Sequence, residues 1–138
     1  DYFIIRISWA FGVHGHNFVK TMLRLGQDHD SIRVVNDQFG SPTYTHDLAE
    51  LISSMIITDK YGIYHATNEG ICSWSDFAAA IFEIAGLSTT VIPVTSEEYG
   101  AQAKRPKNSR LSKKSLDEAG FKRLPQWRIA LEDMISKL

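Results

Sequence analysis

The stretch RVVNDQFGSPTYTHDLA, Arg33–Ala49, decides how this chain is read. It belongs to a short β-type run, Ile32-Arg33-Val34-Val35, that breaks into a polar turn, Asn36-Asp37-Gln38-Phe39-Gly40-Ser41-Pro42. The turn launches an amphipathic helix, expected over 46–58, with Thr45 as N-cap accepting from an otherwise unpaired amide. Leu48, Leu51, Ile52, Met55 and Ile56 supply its apolar face. A strand that hands polar groups to a loop just before a helix is a common way to build a small-molecule site.

On the N-terminal side, the near-continuous apolar run Tyr2–Ile7 reads as a strand buried on both faces. Such a strand needs neighbours and covering helices, so the chain is expected to start just before an interior strand of a larger parallel sheet. The loop Ser8–Gly15 follows it, carrying Trp9 and Phe11 with Gly12 and Gly15. A helix over 16–25 is expected next, with Phe18, Met22 and Leu25 on one face and Gly26 as its stop.

On the C-terminal side, Ile63–Ala66 reads as a strand between two turns. A helix over 74–85 starts at a capping-box-like Ser73/Asp76 pair and stops at Gly86. Val91–Val94 is a strand whose Pro93 suggests a sheet edge. Ser96–Tyr99 is one helical turn. The polar run Ala103–Arg110 leads to a short helix over 113–119, capped by Ser112 and stopped by Gly120. A last helix covers 126–137, with Trp127, Leu131, Met134, Ile135 and Leu138 at helical spacing. Strands alternating with helices point to an α/β fold.

The 138 residues suffice for one domain with a real core. A formal net charge of -1 gives no broad basic face, so no nucleic-acid partner is expected. No apolar run approaches the roughly 20 residues that cross a bilayer, so no membrane partner is expected either. No basic leader with a cleavage site is visible. The single cysteine, Cys72, forms no intrachain disulfide and suits a reducing, cytoplasmic compartment.

No complete catalytic set and no G-x-G-x-x-G loop is present. His14-Gly15-His16 has the form of an H-x-H pair but lacks a third ligand, so no metal site is expected. Cys72 reads as a buried structural thiol rather than a nucleophile. Trp9, at the mouth of a strand, can stack on a sugar ring or seal the core. Asp37-Gln38 beside Gly40-Ser41-Pro42 offers donors and acceptors on a rigid turn, or is an ordinary turn. Lys104-Arg105-Pro106-Lys107 suits a diphosphate through the arginine fork, or is a solvated loop.

Taken in order, RISWAFG, NFVKTMLRL, VVNDQFGSPTYTHDLA, GIYHATNEGICSWSDFAAAIFEIAG, VIPVTSEEY and AKRPKNSRLS resemble the dTDP-4-dehydrorhamnose reductase family over essentially the whole chain. The resemblance implies an extended short-chain dehydrogenase/reductase. In it, 2–7 and 63–66 are the last strands of a Rossmann-type parallel sheet, and the rest of 1–138 is the small α/β substrate-binding domain. It also implies that the dinucleotide-binding half lies before Asp1.

The implied activity is reduction of dTDP-4-dehydrorhamnose to dTDP-L-rhamnose with NADPH or NADH, for cell-surface polysaccharide. The family's catalytic Tyr-x-x-x-Lys pair, whose tyrosine gives the proton, has no counterpart here. This chain alone is therefore expected to be inactive. By the same resemblance Trp9 packs on the deoxysugar, Asn17 and Phe18 lie near the diphosphate, Gln38 sits beside the thymidine, and Arg105 reaches the diphosphate. Ile7 departs from the family's usual threonine. A homodimer fits the family, and some members hold Mg2+ at a dimer contact through C-terminal glutamates; that role is not carried to Glu132. Two other readings remain open here. One is a non-catalytic regulatory subunit of the methionine adenosyltransferase type. The other is a different NAD(P)-dependent sugar-nucleotide dehydrogenase or epimerase.

Overall fold

The computed structural model describes all residues, Asp1–Leu138. The N-terminal third contains β1 (Phe3–Arg6), β2 (Ala10–Phe11), α1 (Phe18–Asp28), β3 (Ser31–Val35), β4 (Phe39–Gly40) and β5 (Thr43–Tyr44). The middle contains α2 (Thr45–Met55), β6 (Gly62–His65), β7 (Cys72–Ser73) and α3 (Trp74–Ile84). The last part contains β8 (Thr90–Val94), α4 (Ser96–Tyr99), α5 (Lys114–Ala119) and α6 (Trp127–Ser136).

The strands pair as β1 with β6, β2 with β5 and β3 with β8, all parallel, and β4 with β7, antiparallel. Pro93 lies in β8, which pairs only with β3 and is thus an edge, as its missing amide requires. Two cores result. The larger joins α1, α3 and α6 to β3 and β8 through Val19, Phe77, Ile81, Phe82, Leu131 and Met134. The smaller packs Leu51, Met55, Tyr64 and Leu116 beside the β1–β6 pair.

Three helices depart from the sequence expectation at their ends. First, α1 begins at Phe18, not His16, because Asn17 is the cap: its Oδ1 accepts from the Lys20 amide at 3.2 Å. Gly26 does not stop α1. It lies inside the helix, where an added Cβ would come within 2.8 Å of the Phe82 ring, so its role is close approach to α3. The helix instead ends where the Thr89 hydroxyl reaches the Gly26 and His29 carbonyls, at 2.7 and 3.0 Å.

Second, Thr45 is not the N-cap of α2 but its first residue. Its hydroxyl occupies the space a Cβ on Gly12 would need. Tyr44 holds the cap position, with its amide bound to Asn68 Oδ1 at 2.7 Å. The helix ends at Met55 because the Thr58 amide and hydroxyl both turn back to the Met55 carbonyl. Third, α5 begins at Lys114 rather than Lys113: Lys113 precedes it, buried and 3.5 Å from Glu69, and the Ser112 hydroxyl accepts from the Lys114 amide at 3.4 Å, the contact expected of a cap.

The capping box of α3 forms as expected. Ser73 accepts from the Asp76 amide at 3.1 Å, and the Asp76 carboxylate accepts from the Ser73 amide at 2.9 Å. The first strand is not buried on both faces. Phe3 and Ile5 are half-buried, whereas Tyr2, Ile4 and Ile7 are exposed, because β6 is its one neighbour and a single core covers it.

Candidate functional site

The strands β1 and β3 both end at one groove. It has three compartments that share Gln38 and Arg105. The largest, about 580 Å³, is polar, with Asp37, Ser96, Lys104 and Lys107 on its walls. The second, about 330 Å³, is mainly apolar, with Phe18, Met22, Trp74 and Tyr99. The third, about 210 Å³, lies between Ser8, Trp9, Trp74, Pro106 and Ser109.

The turn after β3 is rigid for a local reason. Asp37 Oδ1 accepts from the Ser96 hydroxyl at 2.5 Å and from the Ser96 amide at 3.0 Å, fastening the turn to α4. The Ser96 bonds, helped by Lys107 at 3.8 Å, hold the Asp37 carboxyl below the usual aspartate range. Gln38 is nearly buried, and its Nε2 donates to Ser96 Oγ at 3.1 Å. Its Oε1 has no protein partner, so it remains an acceptor on the groove wall.

The opposite wall comes from the polar run before α5. Its far end is stitched to the turn, since the Phe39 amide donates to the Lys107 carbonyl and the Ser109 amide donates to the Phe39 carbonyl. Its near end leaves α4 through Gly100, whose φ of 68° is left-handed. Between them, Ala101–Pro106 makes no main-chain hydrogen bond. Lys104 and Arg105 stand exposed there without a carboxylate partner. Two unneutralised cations beside a polar compartment suit an anionic ligand.

Trp9 is half-buried and stacks on Trp74, with ring centroids 3.8 Å apart. Trp74 in turn packs against Phe18 at 4.7 Å. Trp9 therefore joins the aromatic core on one side and lines the groove with the rest. Of the residues singled out from sequence, Trp9, Gln38 and Arg105 line one compartment, and Phe18, Gln38 and Arg105 line another.

The structure does not bring Asn17 to the groove wall. Its side chain is committed to capping α1 and to the Gly12 carbonyl at 2.8 Å. Trp74 and Tyr99 were not singled out as ligand contacts. Trp74 reads locally as the first residue of a helix, and nothing in the sequence shows that it meets Trp9. Cys72 is buried away from solvent, and burial pushes its thiol up to about 12, which removes it as a nucleophile. His14 and His16 are exposed, and no three metal-capable side chains cluster anywhere. Glu132 lies 3.9 Å from Arg128, an exposed pair one turn apart on α6.

The comparisons agree with this architecture. The family model described as RmlD substrate binding domain matches residues 1–138. The spore coat polysaccharide biosynthesis protein SpsK of Bacillus subtilis is 49% identical over 137 residues, covering 99% of this chain and 48% of SpsK. A dTDP-4-dehydrorhamnose reductase of Aggregatibacter actinomycetemcomitans is 43% identical over 143 residues, covering 95% of this chain and 49% of that protein. The crystal structure of the Bacillus anthracis dTDP-4-dehydrorhamnose reductase in complex with NADP superposes with a TM-score of 0.96 at 47% identity, covering 99% of this chain and 49% of that one. The chain spans about half the length of the curated relatives it matches. With the parallel α/β pairs, the turn after β3 and the match along its full length, this chain belongs to the RmlD substrate binding domain family.

Proposed function

We propose that this chain is the sugar-nucleotide-binding part of a dTDP-4-dehydrorhamnose reductase. That enzyme reduces dTDP-4-dehydrorhamnose to dTDP-L-rhamnose in the cytoplasm. The observation that carries the reading is the groove in which Trp9, Gln38 and Arg105 share one compartment. Family membership and the reductase names of the relatives support it over a regulatory subunit. In this reading Arg105 and its neighbour Lys104 bind the diphosphate. Gln38 Oε1 accepts from the base, Trp9 bounds the sugar end and Phe18 lines the apolar side. Asn17 acts indirectly, by fixing where α1 begins and so where Phe18 stands.

NADPH or NADH would supply the hydride, and the proton donor would come from a Tyr-x-x-x-Lys pair that this chain lacks. The strands β1 and β6 would then belong to the dinucleotide-binding sheet, completed by residues outside this chain. Their parallel pairing and the exposed Tyr2, Ile4 and Ile63 support that assignment.

Calorimetry of the full-length protein with dTDP tests the reading. Arg105→Ala removes a charge-assisted contact and should weaken binding by about tenfold or more. Gln38→Ala should weaken it by about three- to tenfold. Unchanged affinity in both variants would overturn the site assignment.

A further inference from the structure

Trp9 is the one non-glycine residue of this chain with a positive φ, at 49°. A side chain with a Cβ is disfavoured there and persists only where its surroundings impose it. Those surroundings are two buried hydroxyl residues on the segment after the Gln38 turn. The Thr43 amide donates to the Trp9 carbonyl at 3.1 Å. The Thr43 hydroxyl donates to the Ser8 carbonyl at 2.6 Å. The Ser8 hydroxyl donates to the Ser41 carbonyl at 2.7 Å, and the Ser41 hydroxyl donates to the Gly70 carbonyl at 2.6 Å. Thr43 is 0% and Ser41 2% exposed, so water does not compete for these bonds.

The indole is confined as tightly as the backbone. Trp74 stacks on it, and a Cβ on Gly40 would lie 3.0 Å from its Cε2 and Cζ2. Gly40, Ser41 and Thr43 all fall within Gly40-Ser41-Pro42-Thr43, the segment that follows Gln38. One tetrapeptide thus carries the atoms that set the Trp9 backbone and the gap beside its ring.

We propose that Ser41 and Thr43 are positioning residues. They hold Trp9 in its left-handed conformation and so determine how the groove grips the sugar of a sugar nucleotide, while leaving its nucleoside diphosphate to Gln38 and Arg105. This rests on the reading of the groove given above. Gly40 belongs to the same device, as the space in which the indole lies.

Thr43→Val, Ser41→Ala, Gly40→Ala and the conservative Thr43→Ser, made in the full-length protein, test it against two ligands. dTDP lacks the hexose that dTDP-L-rhamnose carries beyond its diphosphate. Thr43→Val should weaken dTDP-L-rhamnose by about tenfold; Ser41→Ala, which loses the anchor to Gly70 but keeps the carbonyl that Ser8 binds, should weaken it by about threefold; both should leave dTDP within about twofold of wild type. Thr43→Ser keeps the hydroxyl and should restore sugar binding. Gly40→Ala leaves every hydroxyl in place and should produce the same split by pressing on the ring, which covers the case in which Thr43→Val fails to fold. Equal weakening of both ligands, or a lowered Tm with both affinities intact, would overturn the proposal by reducing the clamp to a structural feature. A wild-type protein that binds neither ligand would overturn the reading of the groove itself, and this proposal with it.

Discussion

Asn68 is a residue on which several distant segments of the chain meet. It is fully buried. Its Oδ1 accepts from the Tyr44 amide at 2.7 Å, and its Nδ2 donates to Asp47 at 2.7 Å and to the Pro125 carbonyl at 3.0 Å. Its own amide donates to the Pro42 carbonyl at 3.1 Å. The side chain thus joins the start of α2 to the loop before α6, and the main-chain amide ties both to the segment carrying the Trp9 clamp. Asn68→Ala leaves a buried amide without a partner and should cost about 2–4 kcal/mol, read from chemical denaturation. In the sequence this asparagine is legible only as a turn former, because its partners lie 21 to 57 positions away. Asp37 belongs to the same scale. Its pKa is lowered first by the Ser96 hydroxyl. The anchor it makes to α4 is therefore complete above the unfolded aspartate pKa and lost as pH falls through the lower folded value. NMR titration of the Asp37 carboxyl carbon should show a midpoint below that of a free aspartate, and Ser96→Ala should move it back up.

The helices were legible where their signals are local. The Ser73/Asp76 box and Gly120 stand where their patterns placed them, since caps and left-handed stops depend on neighbours within a turn. Ser73→Ala should lower stability by about 1 kcal/mol, measured as a shift in the denaturation midpoint. Gly26 shows the opposite case. A glycine after an apolar stripe reads as a stop, but its reason lies across the core in Phe82 and Leu87, both within 3.0 Å of a built Cβ. Helix propensity alone favours Gly26→Ala by about 1 kcal/mol. The collision with the buried Phe82 should reverse that sign, for a net loss of about 1 kcal/mol, and a stabilised variant would refute the packing account. The two-residue strands β2, β4, β5 and β7 escape sequence reading because no period can be established over two residues. They are nonetheless what draws Trp9, Gln38 and the Lys107–Ser109 segment together.

At the scale of the molecule, the two cores have different completeness. The larger one joins three helices to the β3–β8 pair, while the smaller leaves Tyr2 60%, Ile4 44% and Ile63 45% exposed along the β1–β6 pair. Expressed as Asp1–Leu138, the chain should self-associate through that apolar strip, and elution as a clean monomer at high concentration would contradict this. The α/β order of elements was visible in the alternation of strand and helix patterns. The meeting of three distant segments at one groove followed only from the family resemblance and not from local pattern, because it depends on which strands pair. The bare run Ala101–Pro106 has a consequence for how such a protein diversifies. Because its main chain spends nothing on the scaffold, insertions or deletions there leave both cores intact. Recognition of the charged end of a ligand can therefore be retuned by loop length, whereas the aromatic end is tied to the framework and can change only with it.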